Sequence, residues 1–261
     1  MSGVQEQPPV AARMGTDGLY VTAEVFDELP WLVHAATTRR FSPADADRGM
    51  ELRQLQTTLG LPRFPLIHAD QRHTNTVGVV TDQVLGNLWP DSRYRFPHTD
   101  AIVCPKAGVS IAVFTADCAP IFLADRRTRT IGLAHSGWKG TLSRIAERTV
   151  EAMAGCGSDP ADVIAWIGPM AAGCCYEVSE ELADQFCAEF EDALQAGVVL
   201  RRGRLLDLVA LNIFQLRKVG IPGDQIVFSG LCTIHSHNTF YSYRADKGTT
   251  GRVISMMTVL P

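Results

Sequence analysis

No block of like charge, no low-complexity tract and no internal repeat interrupts this chain of 261 residues. Its formal net charge of −4 is spread along its length, so it has no basic stripe for a nucleic-acid backbone and no face suited to an anionic membrane. Neither a nucleic-acid polymer nor a membrane is expected as a partner, whereas a small anionic substrate is compatible with the composition. Long apolar runs are also missing. The longest, around residues 107–124, is broken by Asp117 and Pro120, and the opening MSGVQEQPPVAARMG lacks the apolar core of a secretion signal. The expected compartment is the cytoplasm. The seven cysteines are odd in number and follow no small-domain spacing, which predicts reduced thiols and no disulfide framework.

What is present is apolar content enough for a core, 46% of the residues. Residues 1–17, rich in Pro, Gly and Gln, read as a flexible arm, and 18–261 as a single domain. LYVTAEVF and WLVHAATT read as strands, and residues 45–59 as a helix whose apolar positions include Met50, Leu55 and Leu59. Residues 81–99 read as a long polar loop of the kind that often covers a site. AIVC, SIAVFT, PIFLAD and TIGLAH are short apolar strands too continuous to have one face in water, so their sheet is expected to be buried on both faces. Residues 142–153 form an amphipathic pattern, followed by the strand VIAWI, helices near 180–190 and 207–219, and strands near QIVFS, TFYSY and VISMMTV. The class is α/β.

Chemistry concentrates in TADCAPIFLADRRTRTIGLAHSGWKG, residues 115–140. The four-residue link RRTR suits an antiparallel hairpin. A turn centred midway between Cys118 and His135 sets them opposite each other, with Cβ atoms about 5 Å apart. A thiol beside an imidazole suits either a zinc site or a Cys/His nucleophile pair. The plainer alternative is a buried small hydrophobe beside a hydrogen-bonded strand end. Asp117 tilts the balance toward chemistry, because a carboxylate at an apolar strand edge is costly unless paired. His34, His68, His73, His98, His235 and His237 are all candidates for a third ligand; spacing does not choose among them, although His73 has polar neighbours in Gln71 and Asn75.

In HSGWKGT the strand runs through two glycines into a helix, with Lys139 beside its first turn, an arrangement open to an anion or explained by a tight turn alone. It does not match the nucleotide P-loop pattern. Arg39, in ATTRRFS, and Arg244, in YSYRADKG, carry the planar donor fork that grips phosphate.

In this order QRHTN, DAIV, TADCAPIFLAD, AHSGWKG, IGPMAAGCCYEV, CT and FYSYRADKGTTGR resemble the family once named laccase-domain or multicopper polyphenol oxidase-like proteins and now described as purine nucleoside phosphorylases. The resemblance runs from about residue 37 to the end. It implies an α/β (α+β) fold, a layered α/β/β/α sandwich with mixed sheets flanked by helices, making residues 18–261 a catalytic domain. It also implies zinc held by His73, Cys118 and His135, with copper as the alternative metal. The implied activity is phosphorolysis of adenosine, inosine or guanosine to base and ribose 1-phosphate, with adenosine deamination as a possible companion. In that frame Asp117, Cys118 and His135 are catalytic, Arg39, Gln71, Lys139 and Arg244 bind substrate or phosphate, and the protein is a monomer or homodimer. The alternatives are a Cys/His hydrolase acting on a cell-wall peptidoglycan precursor and a copper-dependent polyphenol oxidase. Departures from the usual pattern, among them QRHT, Phe41 with Ser42, Cys104 and Ala245, bear on substrate preference.

Overall fold

The computed structural model describes residues 12–41, 47–86, 88 and 92–261. Its central strands are apolar except near their ends because each face meets a different hydrophobic layer. Ala101, Val103, Ile121, Leu123 and Ala134 enter one buried cluster, whereas the residues between them, Ile102, Phe122, Ala124, Ile131 and Leu133, enter another. Side chains alternate across a strand, so both layers must be greasy.

These strands belong to a six-stranded mixed sheet in the order Ile226–Phe228, Val163–Ile167, Ala119–Asp125, Ile131–Ser136, Ala101–Cys104 and Val77–Val79. One face packs on the helices Ile145–Gly155, Glu180–Glu189 and Leu208–Lys218. Packing there is close. A Cβ on Gly132 would stand 2.9 Å from Met153 Sδ and 3.2 Å from Thr149 Cγ2, so the absence of a side chain lets the first of these helices settle on the sheet.

The opposite face meets a seven-stranded mixed sheet, ordered Arg13–Met14, Tyr20–Thr22, Leu32–Thr37, Val253–Val259, Ser110–Thr115, Leu66–Ala69 and Arg93–Phe96. Phe122 and Trp166 from the first sheet and Ile67, Val113 and Met257 from the second share this central layer. The outer face of the second sheet is covered by the helix Arg48–Thr58 through Leu52 and Leu55. Asp47 starts that helix by accepting from the N–H groups of Gly49 and Met50. The layers are therefore helix, sheet, sheet, helix, the α/β/β/α sandwich expected. No helix among the described residues is long and apolar enough to cross a membrane.

Several local readings change. Of the expected arm, residues 1–11 lie outside the described residues, while Arg13 and Met14 pair with Thr22 and Val21. Met50 is 71% exposed, and Leu52 rather than Met50 belongs to the inner face of its helix. The stretch 81–99, read as a loop, contains the short helix Asp82–Leu85 and the edge strand Arg93–Phe96, parallel to Leu66–Ala69. RYRF has the period-2 pattern of an edge strand, but its charges disguise it. TFYSY, read as a strand, forms turns; Phe240 and Tyr241 are buried by packing rather than by sheet pairing.

Candidate metal centre

The hairpin exists, with a register two residues from the symmetric one. His135 pairs with Pro120 and Ser136 with Ala119. The link is centred between Arg127 and Thr128 because Asp125 closes it, its N–H donating to Thr130 O and its carboxylate accepting from the N–H groups of Arg127 and Thr128. A slip of two preserves side-chain parity, so Cys118 and His135 remain on one face as diagonal neighbours. On the same count Cys118 falls opposite Gly137. A Cβ there would stand 2.7 Å from Cys118 Sγ and 3.2 Å from His73 Cδ2, and Gly137 has an ordinary negative φ of −84°. The glycine at this position makes room for the thiol.

His73 completes the group. Its Nε2 lies 3.9 Å from Cys118 Sγ, its ring centroid is 4.9 Å from that of His135, and one donor atom from each of the three side chains lies within 4.8 Å of the other two. No fourth His, Cys, Asp or Glu of the described residues joins them. His34 is in the core, His68 belongs to the other sheet, and His98, His235 and His237 are exposed.

The organiser of the group was absent from the sequence reading. Asp100, fully buried ahead of the strand Ala101–Cys104, accepts from the N–H groups of Arg72, His73 and Thr74, from the Thr74 hydroxyl at 2.8 Å, and from His135 Nδ1 at 2.8 Å. These bonds bend the 72–74 segment around one carboxylate and hold His73 at a left-handed φ of 61°. They also offset the cost of burying the charge and push the Asp100 carboxyl far below the usual range despite burial. A carboxylate can only accept, so His135 carries its proton on Nδ1 and leaves Nε2 for an ion.

Burial pushes the Cys118 thiol up, but the imidazoles of His135 and His73 outweigh it and bring the thiol down to about 6. Burial likewise lowers His135, and the Cys118 sulfur and Asp100 overcome it, raising the imidazole to about 9. Each group thus favours the charged form of the other. Two nitrogens and one sulfur, with a carboxylate behind one imidazole, are the donors and the outer support that zinc sites use.

The group lies in a cavity of about 1260 Å³ whose wall includes His68, Trp138, Tyr176, Tyr243, Arg93, Arg95, Arg244 and Arg252. Burial, and then Cys118, push the Tyr176 phenol up to about 12. Asp117 and Gln71 also reach the wall. Asp117, at a φ of 84°, accepts from the Thr233 hydroxyl through one carboxylate oxygen and from the Arg244 N–H through the other, both at 2.7 Å. The Gln71 amide is paired in both directions with the Phe114 peptide.

Arg244 stacks on Tyr176 and donates to Glu177 O. Arg39 and Lys139 are not among the lining residues. Arg39 is held by Asp246, by Phe240 O and by the Tyr241 ring; Lys139 is exposed beside Trp138. The sequence reading missed Arg93 and Arg95 because it took their strand for a loop.

Known proteins resemble this chain along much of its length. The chain is 37% identical over 193 residues to the purine nucleoside phosphorylase YlmD of Bacillus subtilis, covering 73% of this chain and 69% of that one. It is 46% identical over 159 residues to a purine nucleoside phosphorylase of Deinococcus radiodurans, covering 60% of each. The adenosine deaminase RL5 of an unknown prokaryotic organism is 31% identical over 215 residues, covering 81% and 82%. The crystal structure of the Bacillus licheniformis hypothetical protein YfiH superposes with a TM-score of 0.80 at 26% identity, covering 95% and 98%. Residues 45–260 match the model of one family throughout, and the chain belongs to it: the family described as multi-copper polyphenol oxidoreductase laccase.

Proposed function

We propose that the protein is a zinc-dependent purine nucleoside phosphorylase. The observation that carries this reading is the convergence of two imidazoles and one thiol in a cavity walled by aromatic rings and arginines. Relatives named purine nucleoside phosphorylase support the substrate class. His73, Cys118 and His135 hold the ion, which when bound supplies Lewis acidity to the reacting molecule.

The protein's own residues do the rest. Trp138 and Tyr243 offer faces to a planar base, and Arg244 meets a phosphate from the wall, with Arg93 and Arg95 adding positive charge. A phosphate oxygen attacks the ribose C1′ as the bond from C1′ to the base nitrogen breaks; the pair of electrons leaves with the base, which takes up a proton. The Tyr176 phenol stays protonated at neutral pH and can donate to the leaving base. Asp117, with both oxygens engaged, positions Arg244 and the neighbouring thiol. Gln71 shapes the wall, and Arg39 anchors the segment that carries Arg244.

Adenosine deamination is the second reading, favoured by the relative named adenosine deaminase. Incubation of the zinc-loaded protein with adenosine, with and without phosphate, separates them by chromatography. Adenine and ribose 1-phosphate appearing only with phosphate establish phosphorolysis; inosine without phosphate establishes deamination. If neither product forms, both readings fail. A Cys/His hydrolase would survive a chelator, and a phenol oxidase would consume oxygen with a phenol.

A further inference from the structure

A second group of soft ligands shares no residue with the first. The sulfur atoms of Cys174, Cys175 and Cys232 all lie within 4.8 Å of one another, and Cys174 Sγ is 3.4 Å from Cys175 Sγ. None of the three is in a disulfide. They come from two loops that are fastened together before any ion arrives. Met170 N donates to Leu231 O, Thr233 N donates to Met170 O, and Met170 and Cys232 form a parallel bridge. Cys175 closes a turn by donating to Ala172 O, and Ser236 N donates to Cys232 O. Both loops are also tied to Asp117, through Ala171 N and the Thr233 hydroxyl.

We propose that Cys174, Cys175 and Cys232 form a second metal site, a three-sulfur pocket for one copper(I) ion. Thiolates select soft ions. No fourth His, Cys, Asp or Glu of the described residues joins the group, and three sulfurs with no nitrogen among them suit copper(I), whereas the two imidazoles of the first site suit zinc. The pocket has a ready anchor and an entry. Cys232 is buried, with the backbone of Ala172, Ile234 and His235 close to its sulfur. Cys174 is exposed, which gives an ion a way in. Binding displaces the thiol protons to solvent. The nitrogen-containing group around Cys118 is the harder of the two sites, so the chain sorts two ions by ligand type.

The test uses the full chain, metal-free and kept anaerobic, titrated with copper(I) held in a bicinchoninate complex. A Cys118→Ser variant, which lacks the other sulfur, is expected to take one copper(I) per chain with wild-type affinity. Cys174→Ser, a change at an exposed position, is expected to weaken that uptake by about 100-fold or more. In the unmutated protein, copper(I) is expected to protect Cys174, Cys175 and Cys232 from iodoacetamide, read by peptide mass spectrometry, which needs no variant to fold. Loss of copper(I) uptake in Cys118→Ser, undiminished affinity in Cys174→Ser, or equal alkylation of the three thiols with and without copper(I) would each overturn the proposal.

Discussion

Two histidines are buried in the same sandwich and meet opposite electrostatic fates. His34, on the strand Leu32–Thr37, is packed edge-on against Phe26, Phe122 and Trp166, and its Nε2 accepts from the Ala23 N–H. Burial lowers it to about 4, and it is neutral at neutral pH. His135, opposite Pro120 and so two residues along the ladder from Phe122, has Asp100 on one side and Cys118 on the other and is raised to about 9. Burial alone therefore does not set a histidine's charge. In the apolar layer it is a packing group; where a carboxylate and a thiol converge it joins a group able to hold a metal ion.

The largest effect that would break this contrast is at the sulfur. Cys118→Ser is expected to lower zinc affinity by more than the roughly 10–100-fold that outer hydrogen-bond partners of a ligand carry. Competition against a chromophoric chelator measures it, and stoichiometric zinc at wild-type affinity in the variant would erase the distinction. Asp100→Asn is expected to cost about 10–100-fold in zinc affinity, because an amide no longer fixes the tautomer of His135. If affinity is unchanged, Asp100 is not the organiser.

The third test sharpens the other side. His34 has its folded pKa below the unfolded value of 6.5, so the unfolded chain binds the extra proton and stability falls as pH drops from 6.5 toward about 4. Between pH 7 and 5 that one group removes about 2 kcal/mol. The loss is read as the difference between the urea midpoints of the wild type and His34→Gln at the two pH values; identical pH dependence would show that His34 is not buried neutral. The smallest effect expected is that of Gly137→Ala, about 1 kcal/mol of stability from crowding the Cys118 sulfur. It is accompanied by a loss of zinc affinity that thermal unfolding with and without the ion would show.

The doubly buried strands were legible because no polar residue interrupts them, and parity made the nearness of Cys118 and His135 legible even though the turn was centred one residue early. His73 was favoured by its polar neighbours Gln71 and Asn75 and settled by the resemblance. The force that places it is a carboxylate 27 residues away, and nothing in QRHTN records that Asp100 gathers its backbone. One signal was available: a lone acidic residue leading directly into the apolar run AIVC is costly unless several donors meet it. Arg93 and Arg95 were hidden by the opposite bias, charges on an edge strand reading as loop. Phe240 and Tyr241 misled because aromatic residues favour strands on average, while here the turn itself is buried.

The order of strands has one more consequence. In the seven-stranded sheet, Val253–Val259 lies between Leu32–Thr37 and Ser110–Thr115, antiparallel to both. A nascent chain on the ribosome therefore carries two half-sheets with bare apolar edges until that distant segment emerges to bridge them. Closure of this sheet therefore requires pairings between segments more than 130 residues apart, the non-local kind whose loop-closure entropy slows folding.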